Sequence, residues 1–148
     1  MSILYLDTSA LVKQYVLEAG SKDVQKLIRS ADHSGTSLIT RAEMASAMAR
    51  AVQRKLLVST EAEVAWNEFL TDWSSLSRLS VSRQIADRAS TLAWEYTLRG
   101  YDAMHLASAV LWQETLETQI TVATFDRELW SAAEQTGLTV WPEQLPRI

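Results

Sequence analysis

Residues 3–9 read Ile-Leu-Tyr-Leu-Asp-Thr-Ser. Four apolar residues stop at an acid and two hydroxyl residues, which predicts a buried strand running directly into a helix start. The alternation continues along the chain. Helices are predicted over residues 8–16 and 21–31, with Gly20 as the break between them. TSLI (36–39) reads as a second buried strand, and Thr40 opens a long helix to about Leu56, rich in strong helix formers. Another helix covers 60–77, where Trp66, Phe69, Trp73 and Leu76 recur at helical spacing. A short strand over 79–81, a helix over 83–97 and a turn at Arg99-Gly100 follow. The helix over 101–114 is apolar on nearly every side and therefore central and buried. A strand over 119–124, a helix from Asp126 to Gln135, a C-cap at Gly137 and a strand over 138–141 complete the chain. Short apolar strands alternating with helices predict an α/β fold: a three-layer α/β/α sandwich with a central, mainly parallel sheet.

The 148 residues suffice for one domain, expected over 1–148. Hydrophobic residues at 47% exclude a disordered chain, and only four Gly and two Pro exclude collagen-like and low-complexity ones. The absence of Cys removes disulfide scaffolds, thiolate metal sites and cysteine nucleophiles, and two His leave almost no room for a His-rich zinc site. The N-terminus lacks a basic region and carries Asp7, unlike a signal peptide, and no apolar run has the length of a membrane span. A cytoplasmic protein without a membrane partner is expected. Fourteen basic against eighteen acidic residues give a net charge of −4. That balance disfavours a passive nucleic-acid-binding module, but not a nuclease whose ligand carboxylates await a cation.

In open α/β sheets, functional groups gather beyond the carboxyl ends of strands. Four acids are predicted there. Asp7 follows the first strand and Asp126 the strand over 119–124; Glu43 lies one turn into the helix from Thr40, and Asp102 opens the buried helix. Two readings stand side by side. Each acid can serve as a helix cap, and Thr40-Arg41-Ala42-Glu43 matches a capping box. Caps do not prefer acids over Ser or Thr, however, and Asp102 among apolar neighbours needs a partner. If the four converge, an oxygen-only cluster suits Mg²⁺ or Mn²⁺, which activates water and stabilises a leaving oxygen in phosphodiester cleavage.

Four segments, ILYLDTSALVKQYV, TRAEMASAMARA, GYDAMHLASAV and VATFDREL, resemble in order and spacing those of PIN-domain nucleases, and more closely the toxins of VapBC-type toxin–antitoxin modules. The resemblance covers almost the whole chain. It implies a Mg²⁺-dependent endoribonuclease (Mn²⁺ substituting), usually homodimeric and held inactive by a cognate antitoxin. Asp7, Glu43, Asp102 and Asp126 take the family's acidic positions, none substituted. The resemblance and the chemistry together make Asp7 and Asp102 metal ligands, Asp126 a direct or water-mediated one, and Glu43 both a member of the four-carboxylate metal site and the group that orients or deprotonates water. Thr8, Ser9 and Thr124 are expected to hold these carboxylates by hydrogen bonds.

His105 follows Asp102 by three residues and shares its helix face; it reads as a hydrogen-bonded core residue or a general acid. Lys13, Arg41, Arg99 and Arg127 lie near the acids in sequence and read as surface charge or phosphate contacts. The Trp66 stripe reads as core, with any exposed part suited to a dimer face or an antitoxin helix. Three other functions share some of these features. A phosphatase of the haloacid dehalogenase type needs a second Asp at position 9, where this chain has Ser, and a phosphoacceptor receiver needs an acidic pair and a late Lys that are absent. A catalytically silent PIN-like module binding RNA or protein is the alternative; the intact acids argue against it.

Overall fold

The computed structural model describes residues 1–145, so the last three residues of the expected domain, 146–148, lie outside the described residues. Strand β1 (Ile3–Leu6) lies at the centre of a five-stranded sheet, flanked by β2 (His33–Ser37) and β4 (Thr121–Ala123). Strands β3 (Ser77–Leu79) and β5 (Thr139–Trp141) form the edges, and every pairing is parallel. The expected parallel sandwich is what forms.

All four residues of β1 are buried, because successive side chains enter opposite helical layers. Ile3 and Tyr5 pack with Ile85, Leu92, Leu106 and Leu129 from α5 (Arg83–Tyr96), α6 (Gly100–Leu116) and α7 (Arg127–Gln135). Leu4 and Leu6 pack with Leu11, Met44 and Phe69 from α1 (Thr8–Leu11), α3 (Thr40–Gln53) and α4 (Ser59–Trp73). Helix α2 (Ser21–Ser30) adds Leu27 and Ile28 to that second layer. Phe69 and Trp73 of the aromatic stripe are fully enclosed and Trp66 half so, with ring centroids 5.3–5.4 Å apart along the helix; the stripe is core. Among the described residues, no helix is long and apolar enough to cross a membrane.

Several boundaries differ from expectation. The second strand spans His33–Ser37 rather than 36–39: Leu38 is 43% exposed, and Ile39 already has helical backbone at φ −64°, ψ −23°. The third strand moves with it, to Ser77–Leu79 instead of 79–81, because its register is set against β2 (Gly35 opposite Ser77). The long helix stops at Gln53, short of Leu56, and Lys55 turns the chain with a φ of 60°. The helix expected to 77 ends at Trp73, and that expected over 8–16 is α1 followed by a 3₁₀ turn at Val12–Gln14. Gly35 is required by close approach: a Cβ there would meet the Trp112 ring at 2.7 Å and the Ser77 carbonyl at 2.9 Å. Gly137, at φ +91°, supplies the left-handed turn after α7.

Candidate active site

The turns leaving β1, β2 and β4 bring Asp7, Thr40 and Thr124 to the carboxyl edge of the sheet, where α6 and α7 also begin. Asp7 is buried and caps α1. Its Oδ1 accepts hydrogen bonds from the Ser9 hydroxyl (2.6 Å) and the Ala10 N–H (3.1 Å), and its Oδ2 from the Thr124 hydroxyl (2.7 Å). These hydroxyls are placed in turn by backbone donors: Ser9 Oγ accepts the Phe125 N–H at 2.9 Å, and Thr124 Oγ1 the Asp126 N–H at 3.0 Å. Burial pushes the Asp7 carboxyl above the usual carboxylate range, although His105, Ser9, Thr124 and Ala10 pull the other way.

Asp102 sits in the first turn of α6, 4% exposed, and does not cap it; Arg99 holds the cap position but makes no side-chain capping bond to the helix backbone. Arg99 donates from Nε to Asp102 Oδ2 (3.2 Å) and from Nη2 to Asp126 Oδ2 (2.9 Å). Asp126 also caps α7, its Oδ1 accepting the Leu129 N–H at 2.9 Å. Burial and the Asp126 charge, with a smaller contribution from Asp7, push the Asp102 carboxyl up to about 6 against the pull of Arg99.

Glu43 takes no part in a capping box. The Thr40 hydroxyl pairs with that of Thr36 at 2.7 Å, and Glu43 Oε1 accepts from the Thr8 hydroxyl at 2.8 Å and meets His105 Nε2 at 2.7 Å. His105 is 2% exposed, with Nδ1 2.7 Å from the Tyr5 hydroxyl. An ionised carboxylate only accepts, so Nε2 carries a proton and donates to Glu43, and Tyr5, His105 and Glu43 form one hydrogen-bonded chain. Burial raises the Glu43 carboxyl, but the bond and charge of His105 and the Thr8 hydroxyl outweigh it and leave Glu43 below its ordinary value.

Asp102 and Asp126 are thus brought together through Arg99, and Asp7 lies within electrostatic reach of Asp102. Glu43 is tied to His105, one helical turn beyond Asp102. Among the described residues, no three Asp, Glu or His side chains are gathered closely enough to hold one metal ion. Thr8, Ser9 and Thr124 each donate to one of the acids. Lys13 pairs with Glu18 and lies over the Phe125 ring, Arg41 is exposed in the first turn of α3, and Arg127 opens α7. Sequence reasoning placed Arg99 near the acids but not its ion pairs with Asp102 and Asp126, although the i,i+3 spacing to Asp102 was a usable signal. It also missed Tyr5 and the His105–Glu43 link, for which a separation of 62 residues left no local signal.

Residues 4–135 match the PIN domain family. The chain belongs to that family. Ribonuclease VapC45 of Mycobacterium tuberculosis is 32% identical over 148 residues, covering 98% of this chain and 99% of the relative. Among solved structures, PAE2754 from Pyrobaculum aerophilum superposes with a TM-score of 0.65 at 21% identity, covering 94% of this chain and 83% of the other. A toxin–antitoxin complex from Klebsiella pneumoniae gives 0.62 at 20% identity, covering 97% and 99%.

Proposed function

We propose that this protein is a VapC-type toxin: an endoribonuclease that hydrolyses RNA phosphodiester bonds with Mg²⁺ or Mn²⁺ at the carboxyl edge of its sheet. The observation that carries the reading is the set Asp7, Asp102 and Asp126, with buried Asp102 raised to about 6 by its surroundings and its acidic neighbours. Such a site carries surplus negative charge, and its donors are all oxygen, the chemistry that a hard divalent cation satisfies. Asp7, Asp102 and Asp126 would hold the ion between them, two directly and the third through water, since no three described acids are gathered closely enough to ligate it at once. When bound, it supplies Lewis-acid stabilisation of the attacking and leaving oxygens.

The chain's own residues do the rest. Ser9 and Thr124 fix both oxygens of Asp7, so this carboxylate meets a cation without reorienting. Thr8 and His105 both act on Glu43 Oε1, leaving Oε2 to orient a water or take its proton. With its pKa below the ordinary value, Glu43 is ionised at neutral pH and ready to accept. The full-length likeness to Ribonuclease VapC45 supports RNA as substrate, and the likeness to a toxin–antitoxin complex supports a protein antitoxin as inhibitor. A cytoplasmic homodimer completes the reading.

Purified protein incubated with single-stranded or loop-containing RNA should cut it with Mg²⁺ or Mn²⁺, stop in EDTA, and lose cleavage in Asp7→Asn. RNA that is bound and never cut under any metal would instead establish a binding module.

A further inference from the structure

One side chain spans the gap between two of the proposed ligands. The two donors of Arg99 belong to a single planar guanidinium, and each reaches the Oδ2 atom of a different carboxylate, Asp102 and Asp126. The exposure of the partners is unequal. The Arg99 side chain is 58% exposed, whereas that of Asp102 is 5% exposed. The guanidinium rests on the open ring of Tyr101, 5.0 Å from its centroid, and Gly100 beside it has nothing within 4 Å of where a Cβ would stand. Arg99 can therefore leave without unpacking the core, and Asp102 cannot. A divalent cation that engages Asp102 and Asp126 competes with the guanidinium for the same two oxygens.

We propose that Arg99 is the resident counter-cation of Asp102 and Asp126, that it is exchanged for the divalent ion when the site loads, and that it thereby sets the metal concentration at which loading occurs. This rests on the metal-dependent reading above. With the carboxylates occupied by Arg99, only the fraction of molecules with the guanidinium swung away binds the ion, and apparent affinity falls by that fraction. Deleting the side chain removes both the occupancy and a positive charge that repels the ion.

Calorimetric titration of Mn²⁺ into metal-free wild type, Arg99→Ala and Arg99→Lys tests this. Arg99→Ala should bind Mn²⁺ roughly threefold to tenfold more tightly, the scale expected for removing partly exposed ion pairs. Arg99→Lys should fall between, because one ammonium cannot fork across two carboxylates. In wild type, the Arg99 Nε–Hε signal, assigned by its loss in Arg99→Lys, should move to the position of a solvated guanidinium on adding Mg²⁺. Equal or weaker Mn²⁺ binding by Arg99→Ala, or an Arg99 signal that Mg²⁺ leaves in place, overturns the exchange. Failure of Mn²⁺ to bind any of the three proteins would instead overturn the metal site itself, and the exchange with it.

Discussion

Replacing Asp102 by Asn should stabilise the metal-free protein at neutral pH. The acid's value rises from the ordinary 3.8 to about 6 on folding, so the native state holds a proton there more tightly than the unfolded chain does. Stability therefore falls as pH rises: the contribution is fully present below about 4 and is lost as pH passes through about 6. With Asp102 ionised, the opposition to folding is about 3 kcal/mol as a ceiling. Asn keeps one acceptor for Arg99 but must bury an amide N–H₂, so a net gain of about 1–2 kcal/mol is expected. That corresponds to a melting temperature roughly 2–8 °C higher for a chain of this size. The assay is thermal melting of both proteins in EDTA from pH 4 to 8, read as the difference between them, which cancels the other titrating groups. The difference should be negative at pH 4, by about 1–2 kcal/mol for the buried amide, change sign as pH rises towards 6 and level off as a net gain by pH 7.5. Added Mn²⁺ should then raise wild type, by about 1.4 kcal/mol at ten times Kd, and leave Asp102→Asn nearly unmoved. If Asp102→Asn melts below wild type at every pH and metal changes neither, Asp102 is a structural partner of Arg99 and the reasoning is wrong.

Gly35→Ala should cost about 1–3 kcal/mol in chemical denaturation, because its Cβ would press on Trp112 at 2.7 Å. Thr124→Val strips Asp7 of a hydroxyl donor and the Asp126 N–H of its acceptor; a loss of about 1–3 kcal/mol and weakened Mn²⁺ binding are expected together. His105→Leu leaves the Tyr5 hydroxyl without its partner and releases Glu43, so RNA cleavage should fall in kcat with little change in KM, alongside a loss of stability.

Where apolar residues and acids were close in sequence, the reading carried over to the structure. ILYL became the central strand because each of its residues has a core to enter, and Asp7 lands at its carboxyl end for the same reason. The second strand was misplaced because Leu38 and Ile39 supplied the apolar signal, while the real strand begins at polar His33 and Ser34, paired with Ile3 and Leu4. The third strand inherited that slip through its pairing with the second. At the site, Asp7 and Asp126 are caps as well as candidate ligands, so the two sequence readings do not exclude each other. Asp102 and Glu43 are not caps; the i,i+3 spacing offered Arg99 as a partner of Asp102, but His105 reaches Glu43 only because α6 packs on the sheet, which local pattern does not encode.

The most direct measurement is the anomalous scattering map of crystals grown with Mn²⁺. The account predicts a peak within bonding distance of Asp7 and Asp102, beside Asp126, with Arg99 turned away from both of its present carboxylate partners. A well-ordered site in saturating Mn²⁺ that shows no peak, with Arg99 still bridging Asp102 and Asp126, would contradict it.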